Sequence, residues 1–561
     1  MNMTSNKTVL HLQFLTLMLL IGPHWLVTRD LFDGSTVAFA QALGNPDGLY
    51  FWFRNSNWLL AEWMFRAVFA VSDVLGISYL PIIKVVVTAL LLAIYTEFAL
   101  LARRLFGLPS DEARLVGLLC LAAPLLHIYV NSCAVPLLLC GWLMFLGHRL
   151  FWSERTVVRL LGMALLAMSF QLNSNLVLAL ALDVLCLFRF TDQRRQRLKW
   201  FGLLLALAVA IYTIMRVIAP PQQIFAEYNQ ILNPLRSEGM RRIARATAIF
   251  LSWGVIPLTV LLVVAIAVAA GRQKAGAAPP PRPNSGHMDW YSLGACAFLC
   301  GAAAFPYVAV GKGPPLFTFV GIGDGLTEQV LRGAYGNGLA PAWASTSARH
   351  ALLFGPALAL LTWFVAKASL QRLERNRPRL GTNTLFVLML PLFLIWVLPA
   401  YMNKLAMQHA ELSLVKGFKR LPPAPAGVVN LRYSPVTDWL IWSNSAGMVL
   451  REAWGRSDYY AMFHSLDVYR DDLQWQYHAY IRATGGLNSS LIQHQMSMDR
   501  FPGERCISTY EATLPPLGLL STLAFAIAPD NTPAAQVQLK NSNCVDGQIM
   551  HNPQPDKKLI P

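Results

Sequence analysis

Residues 79–101 read Tyr79-Leu80-Pro81-Ile82-Ile83-Lys84-Val85-Val86-Val87-Thr88-Ala89-Leu90-Leu91-Leu92-Ala93-Ile94-Tyr95-Thr96-Glu97-Phe98-Ala99-Leu100-Leu101, with Arg103 and Arg104 close behind. A bilayer core of about 30 Å is crossed by a helix of roughly 20 mainly apolar residues. The run has that length, and the excess of Lys and Arg in cytoplasmic segments turns its basic end inward. The whole chain has the same character: of 561 residues, 55% are hydrophobic and 14% charged, and the mean hydropathy is +0.43. That is more apolar surface than a soluble core of this length uses, so the expectation is an α-helical polytopic membrane protein. The net charge of +16 lies in clusters at the ends of apolar runs, not in one stripe. With no zinc-type, P-loop or Rossmann spacing present, no nucleic-acid partner is expected.

Working outward from residues 79–101, basic clusters occupy every second gap: His148, Arg149, Arg155 and Arg159; Arg189, Arg194, Arg195, Arg197 and Lys199; Arg272, Lys274 and Arg282; Arg372, Arg375, Arg377 and Arg379. These gaps read as cytoplasmic, which gives about eleven spans with the N-terminus inside and the C-terminus outside. The first run, Val9 to Val27, lacks a small-residue cleavage site and reads as a signal anchor. A last span near Leu385 to Tyr401 divides the chain into a transmembrane domain, 1–401, and a C-terminal domain, 402–561, expected to be mixed α/β and external. Residues 277–284, with four prolines, read as a flexible cytoplasmic linker.

Six of the eight cysteines lie in or beside apolar runs, as packed thiols do. Cys506 and Cys544 share the polar C-terminal region and are a disulfide candidate if that region meets an oxidising compartment. Its many aromatics read chiefly as an ordinary core, and 517–527 as a core helix or membrane-dipping element.

Three external gaps, 28–76, 220–245 and 311–349, are far longer than a hairpin needs. In the first, Arg29, Asp30 and Asp33 follow the opening span directly. Carboxylates three residues apart share one side of a helical turn, where they could act as a base or hold a divalent cation against a pyrophosphate. Equally, Asp33 could cap a helix beginning near Gly34, with Asp30 left solvated. Residues 58–69 read as a helix along the membrane interface, its apolar face interrupted by Glu62 and Arg66.

Arg236, Arg241, Arg242 and Arg245 lie on the outer side, together with Arg216 at the end of the seventh span, against the usual charge rule. Guanidinium groups there fit a lipid phosphate or pyrophosphate, or bulk anionic headgroups. Arg349-His350 opens the tenth span and could clamp a phosphate. Lys84 is a costly charge inside an apolar run and is expected to face a cavity, whereas Asp183 and Glu97 are expected to be in structural pairs.

A carboxylate-bearing first external loop, amphipathic segments before the second span, long outer loops and an outer C-terminal domain together resemble the GT-C glycosyltransferases. The stretch Arg349-His350-Ala351-Leu352-Leu353-Phe354-Gly355-Pro356 is similar to an Arg-Tyr-type motif that begins a late span in several bacterial members. The resemblance implies a bacterial inner-membrane enzyme that transfers sugar from a polyprenyl-phosphate-linked donor to a glycan, lipid or protein acceptor on the periplasmic face. Asp30 or Asp33 would then activate the acceptor, while Arg349 and His350 hold the donor phosphate. A transporter or flippase of lipid-linked sugars, or a polymerase or ligase of lipid-linked glycans, are the rival readings.

Overall fold

Local chemistry sets the limits of the central helix. Ser78 Oγ accepts from Leu80 N–H at 3.2 Å, an N-cap that satisfies an otherwise orphaned donor. At the other end Gly107 adopts φ 64°, a left-handed terminator that L side chains resist. Between them the helix runs over Tyr79–Phe106.

The computed structural model describes residues 3–26, 37, 46–55, 58–122, 132, 135–189, 194–218, 232–237, 239–251, 290–310, 353–373, 405–425, 427–434, 443–455, 459–465, 505–515 and 519–545. The helices are α1 (Met3–Ile21), α2 (Asp47–Asn55), α3 (Leu59–Leu75), α4 (Tyr79–Phe106), α5 (Ser110–Ala122), α6 (Val135–Phe151), α7 (Thr156–Ser169), α8 (Asn173–Arg189) and α9 (Arg194–Ile218). They continue with α10 (239–251), α11 (Trp290–Val308) and α12 (Phe354–Leu373). After α13 (405–418) come β1 (Gly427–Ser434), α14 (Ser443–Trp454), β2 (Tyr459–Ser465), β3 (Arg505–Thr513), α15 (Leu519–Ile527) and β4 (Gln536–Val545). The chain is thus mostly helical with a small C-terminal sheet. It divides into two compact units, Met1–Asp30 with Phe53–Leu405, and Leu31–Trp52 with Ala406–Pro561. The long stretch of the first unit ends at Leu405, and the second unit also takes in part of the first long gap.

Among the described residues, Tyr79–Phe106 and Tyr291–Val308 are long and apolar enough to cross a membrane; Leu10–Leu26, Val135–Phe151, Thr156–Ser169, Leu198–Ile211 and Phe354–Lys367 are apolar but shorter. At 1.5 Å per residue these apolar stretches alone are shorter than a full hydrocarbon core, although α9 and α12, which contain the last two, run to 25 and 20 residues. The runs expected near 252–270 and 385–400 lie outside the described residues.

Helix pairs in the first unit pack closely where glycines allow it. A Cβ on Gly162 would stand 2.3 Å from Phe151 N and 2.7 Å from Gly147 O, so α6 and α7 touch backbone to backbone. Contacts between helix termini fall into two sets. In one, Lys84 meets Trp25, Gln171 meets Leu60, Tyr307 meets Ser174 and Phe250 meets Phe354. In the other, Arg104 meets Trp152, Arg149 meets Glu97, Lys367 meets Glu112 and Tyr291 meets Leu185. Helices α4, α8, α11 and α12 each contribute to both sets from opposite ends, the pattern of a chain running back and forth.

In the second unit the strand order is β2-β1-β3-β4. Strand β1 pairs in parallel with β2 and β3, and β4 runs antiparallel to β3. A parallel β1–β2 pair needs a crossover, and α14 lies in it. Phe418 forms a core with Trp454 and Tyr510, at ring distances of 5.2 and 5.4 Å. Gly417 lets α13 press on the turn before β4, since a Cβ there would lie 2.6 Å from Ala535 O. The C-terminal region therefore carries the expected mixture of strands and helices; within 517–527, expected as a core helix or membrane-dipping element, α15 covers Leu519–Ile527 with Phe525 buried and Leu520 and Ile527 exposed.

Candidate functional site

Lys84 stands in the first turns of α4, where an ammonium amid apolar side chains needs an acceptor. It is only 8% exposed and donates to Trp25 O at 3.1 Å, with the Trp25 ring 5.8 Å away. A buried cation therefore grips the end of the segment that leads, five residues later in sequence, to Asp30.

Nearby in sequence, α2 and α3 build a denser charge cluster. Glu62 is 3% exposed despite its carboxylate. Arg54 approaches it side on, Nε to Oε2 at 3.1 Å and Nη2 to Oε1 at 2.6 Å. Arg66, one helical turn further on, gives Nε and Nη2 to Oε1 at 3.0 and 2.8 Å. The stacked rings of Phe53 and Phe65, 5.2 Å apart, hold α2 against α3 beneath this cluster. Hydrogen bonding from Arg54 is the main cause that pulls the Glu62 carboxyl below its usual range; burial opposes it, and Arg66 adds to the lowering. The same contact raises Arg54 above its ordinary value. The Arg54 and Arg66 side chains are about half exposed.

The Glu62–Arg66 spacing was legible as a helical i,i+4 pair. Arg54 was not, because helical spacing within α3 does not show which residue outside it reaches Glu62. The helix expected at 58–69 is α3, with Trp63 exposed and Phe65 and Phe69 buried, and Glu62, expected to interrupt its apolar face, is buried in an ion pair.

Arg236, Arg241, Arg242 and Arg245 are all exposed. Leu232 N–H donates to Ala309 O at 2.9 Å, tying their segment to the end of α11. At the far end of α10, Phe250 packs on Phe354 at 5.2 Å. Phe354 begins α12 four residues after His350, so the helix that carries Arg241, Arg242 and Arg245 packs there on the segment just past Arg349-His350. Arg29, Asp30, Asp33, Arg349 and His350 themselves lie outside the described residues, and Arg216 is placed only as backbone within α9. Among the described residues no group of three or more His, Cys, Asp or Glu side chains is arranged to hold a metal. The divalent-cation expectation rests on Asp30 and Asp33 alone.

Glu97 and Asp183 are in structural pairs, as expected. Glu97 takes two hydrogen bonds from Arg149, at 2.5 and 2.9 Å. Asp183 meets His148 Nε2 at 3.0 Å and Trp152 Nε1 at 2.8 Å. Cys506 and Cys544 occupy directly opposite positions on β3 and β4.

No protein-family model, no curated protein and no solved structure matches this chain.

Proposed function

We propose that the chain is a polytopic glycosyltransferase of the bacterial inner membrane, of GT-C type. It moves a sugar from a polyprenyl-phosphate-linked donor to a glycan, lipid or protein acceptor on the periplasmic face, where its C-terminal domain also lies. The observation that carries the reading is Lys84, a buried ammonium bonded to Trp25 O at the entrance to the segment bearing Asp30 and Asp33. A lipid-linked donor leaves as a phosphate, so the reaction needs fixed positive charge beside a carboxylate base, at the edge of the hydrocarbon. Asp30 or Asp33 takes the acceptor proton. Lys84, Arg29, Arg216, Arg236, Arg241, Arg242, Arg349 and His350 are the candidate partners for the phosphate.

The up-and-down order of helix ends supports serial membrane crossing. The exposed guanidinium groups of Arg236, Arg241, Arg242 and Arg245 support an anionic substrate or lipid phosphate.

The test uses membranes containing the full chain, supplied with polyprenyl-phosphate sugars labelled in the sugar. Label should pass to glycan, lipid or protein. Asp30→Asn or Asp33→Asn should lower transfer by about 100-fold or more at unchanged protein level, the usual range for a lost general base. Full transfer in both variants overturns the assignment of the base. Movement of intact donor across the bilayer without sugar transfer overturns the enzyme reading in favour of a flippase.

A further inference from the structure

Strand β4 joins the sheet through β3 alone. Among the described residues it lies at the sheet's edge, hydrogen-bonded along one side. The ladder is regular from Arg505↔Val545 through Thr509↔Asn541, and a bulge follows between Thr509 and Tyr510. Within the regular part, Cys506 is paired with Cys544 and Ser508 with Ser542.

Side chains alternate along a strand, so Cys506 shares a face with Ser508, and Cys544 shares one with Ser542. Pairs two residues apart along an antiparallel ladder are also of the same hydrogen-bonding type. The serine pair therefore shows what this face does at such a position. Ser508 Oγ and Ser542 Oγ meet at 2.9 Å, and Ser508 is buried. Directly opposed antiparallel residues have Cα atoms about 4.5 or about 5.5 Å apart. Both distances fall inside the roughly 4.4–6.8 Å that a disulfide bridges.

The other described cysteines, Cys120, Cys140, Cys186, Cys296 and Cys300, are free and buried in helices of the first unit. None of them is registered with a partner in this way.

We infer that Cys506 and Cys544 form a cross-strand disulfide that staples edge strand β4 to β3. The two thiols lose two protons and two electrons to a disulfide oxidant, which leaves as a dithiol, and one S–S bond forms between the strands. Such a bond persists in an oxidising compartment and not in a reduced cytosol. The pair thus also reports the side of the membrane on which the sheet resides. The inference stands on strand register and is independent of the reaction proposed above.

Cells making the full chain are quenched in acid, and the protein is unfolded in detergent and labelled with a maleimide polymer that adds one mobility step per free thiol. Six of the eight cysteines should react before reduction and all eight after it. Cys506→Ser and Cys544→Ser should each show seven reactive thiols both before and after reduction. Peptide mapping of the unreduced wild-type chain, which needs no variant to fold, should recover one peptide joining the segments around 506 and 544. Eight reactive thiols before reduction, or a linkage of either cysteine to any other partner, overturns the inference.

Discussion

His148 Nε2 and Asp183 Oδ1 lie 3.0 Å apart with side chains 1% and 0% exposed. Trp152 Nε1 donates to the same carboxylate oxygen at 2.8 Å, and Cys186 Sγ stands 3.9 Å from the His148 ring nitrogen. No described group pairs with Asp183 Oδ2 or His148 Nδ1. A pair this deep holds α6 to α8 by geometry, while its own desolvation offsets much of the attraction.

Removing one partner leaves the other stranded, at a cost of about 3–5 kcal/mol. Asp183→Leu and His148→Leu should each lower the melting temperature in detergent sharply. The double variant should melt above both single ones, since neither charged partner is then stranded, while Trp152 Nε1 loses its carboxylate acceptor in it just as in Asp183→Leu. A double variant less stable than either single would show the pair to be net stabilising beyond its mutual neutralisation.

Glu62 should make the helical unit sensitive to acid. Its folded carboxyl sits below the ordinary value of 4.5, mainly through Arg54. A depressed folded value means that its stabilisation is complete above the unfolded value and is lost as pH falls through the folded one. Wild-type melting temperature should therefore drop progressively below about pH 4.5. Glu62→Gln, already without the charge, should start lower at pH 7 and lose less across that window. Parallel curves for the two proteins would remove Glu62 as the cause.

The contact of α6 with α7 predicts opposite effects for glycine replacements. Gly162→Ala places a methyl 2.3 Å from Phe151 N, and should cost about 1–3 kcal/mol by forcing the helices apart. Gly202→Ala in α9 has nothing within 4 Å of its new Cβ, and should gain up to about 1 kcal/mol from helix propensity. Chemical denaturation of both variants in the same detergent checks the difference in sign.

Lys84→Met keeps the apolar stem and deletes the bond to Trp25 O. A hydrogen bond from a charged donor contributes about 1.5–3 kcal/mol. If that energy orders the site for transfer, sugar transfer should fall about tenfold or more, with Lys84→Arg retaining part of it. A Lys84→Met protein that is folded and fully active would separate this cation from the reaction.

Several features were readable from local pattern. Residues 79–101 were expected to be helical, and Ser78 and Gly107 extend that helix to Phe106 because they supply a cap and a left-handed terminator. Glu97 and Asp183 were expected to be paired, because a carboxylate in an apolar run is too costly to leave alone. Their partners, Arg149 and His148, were beyond reach, since helical periodicity says which face a residue occupies and nothing about which helix lies opposite. Arg54 was missed for the same reason. Of the expected site, Lys84 and the exposed arginines of 236–245 are placed, whereas Asp30, Asp33, Arg349 and His350 lie outside the described residues.

What the sequence by itself determined is a helix-rich chain, a late change to a polar, aromatic-rich composition, and the two cysteines that the latter carries. Those are properties of composition and spacing, which each segment holds without its neighbours. Only the tertiary structure decided that Arg54 and Arg66 share one buried carboxylate, that Gly162 and Gly147 bring two backbones into contact, and that Cys506 faces Cys544. Each of these depends on which surfaces pack and in what register, and the regular ladder ahead of the Thr509/Tyr510 bulge is what sets the cysteines opposite one another.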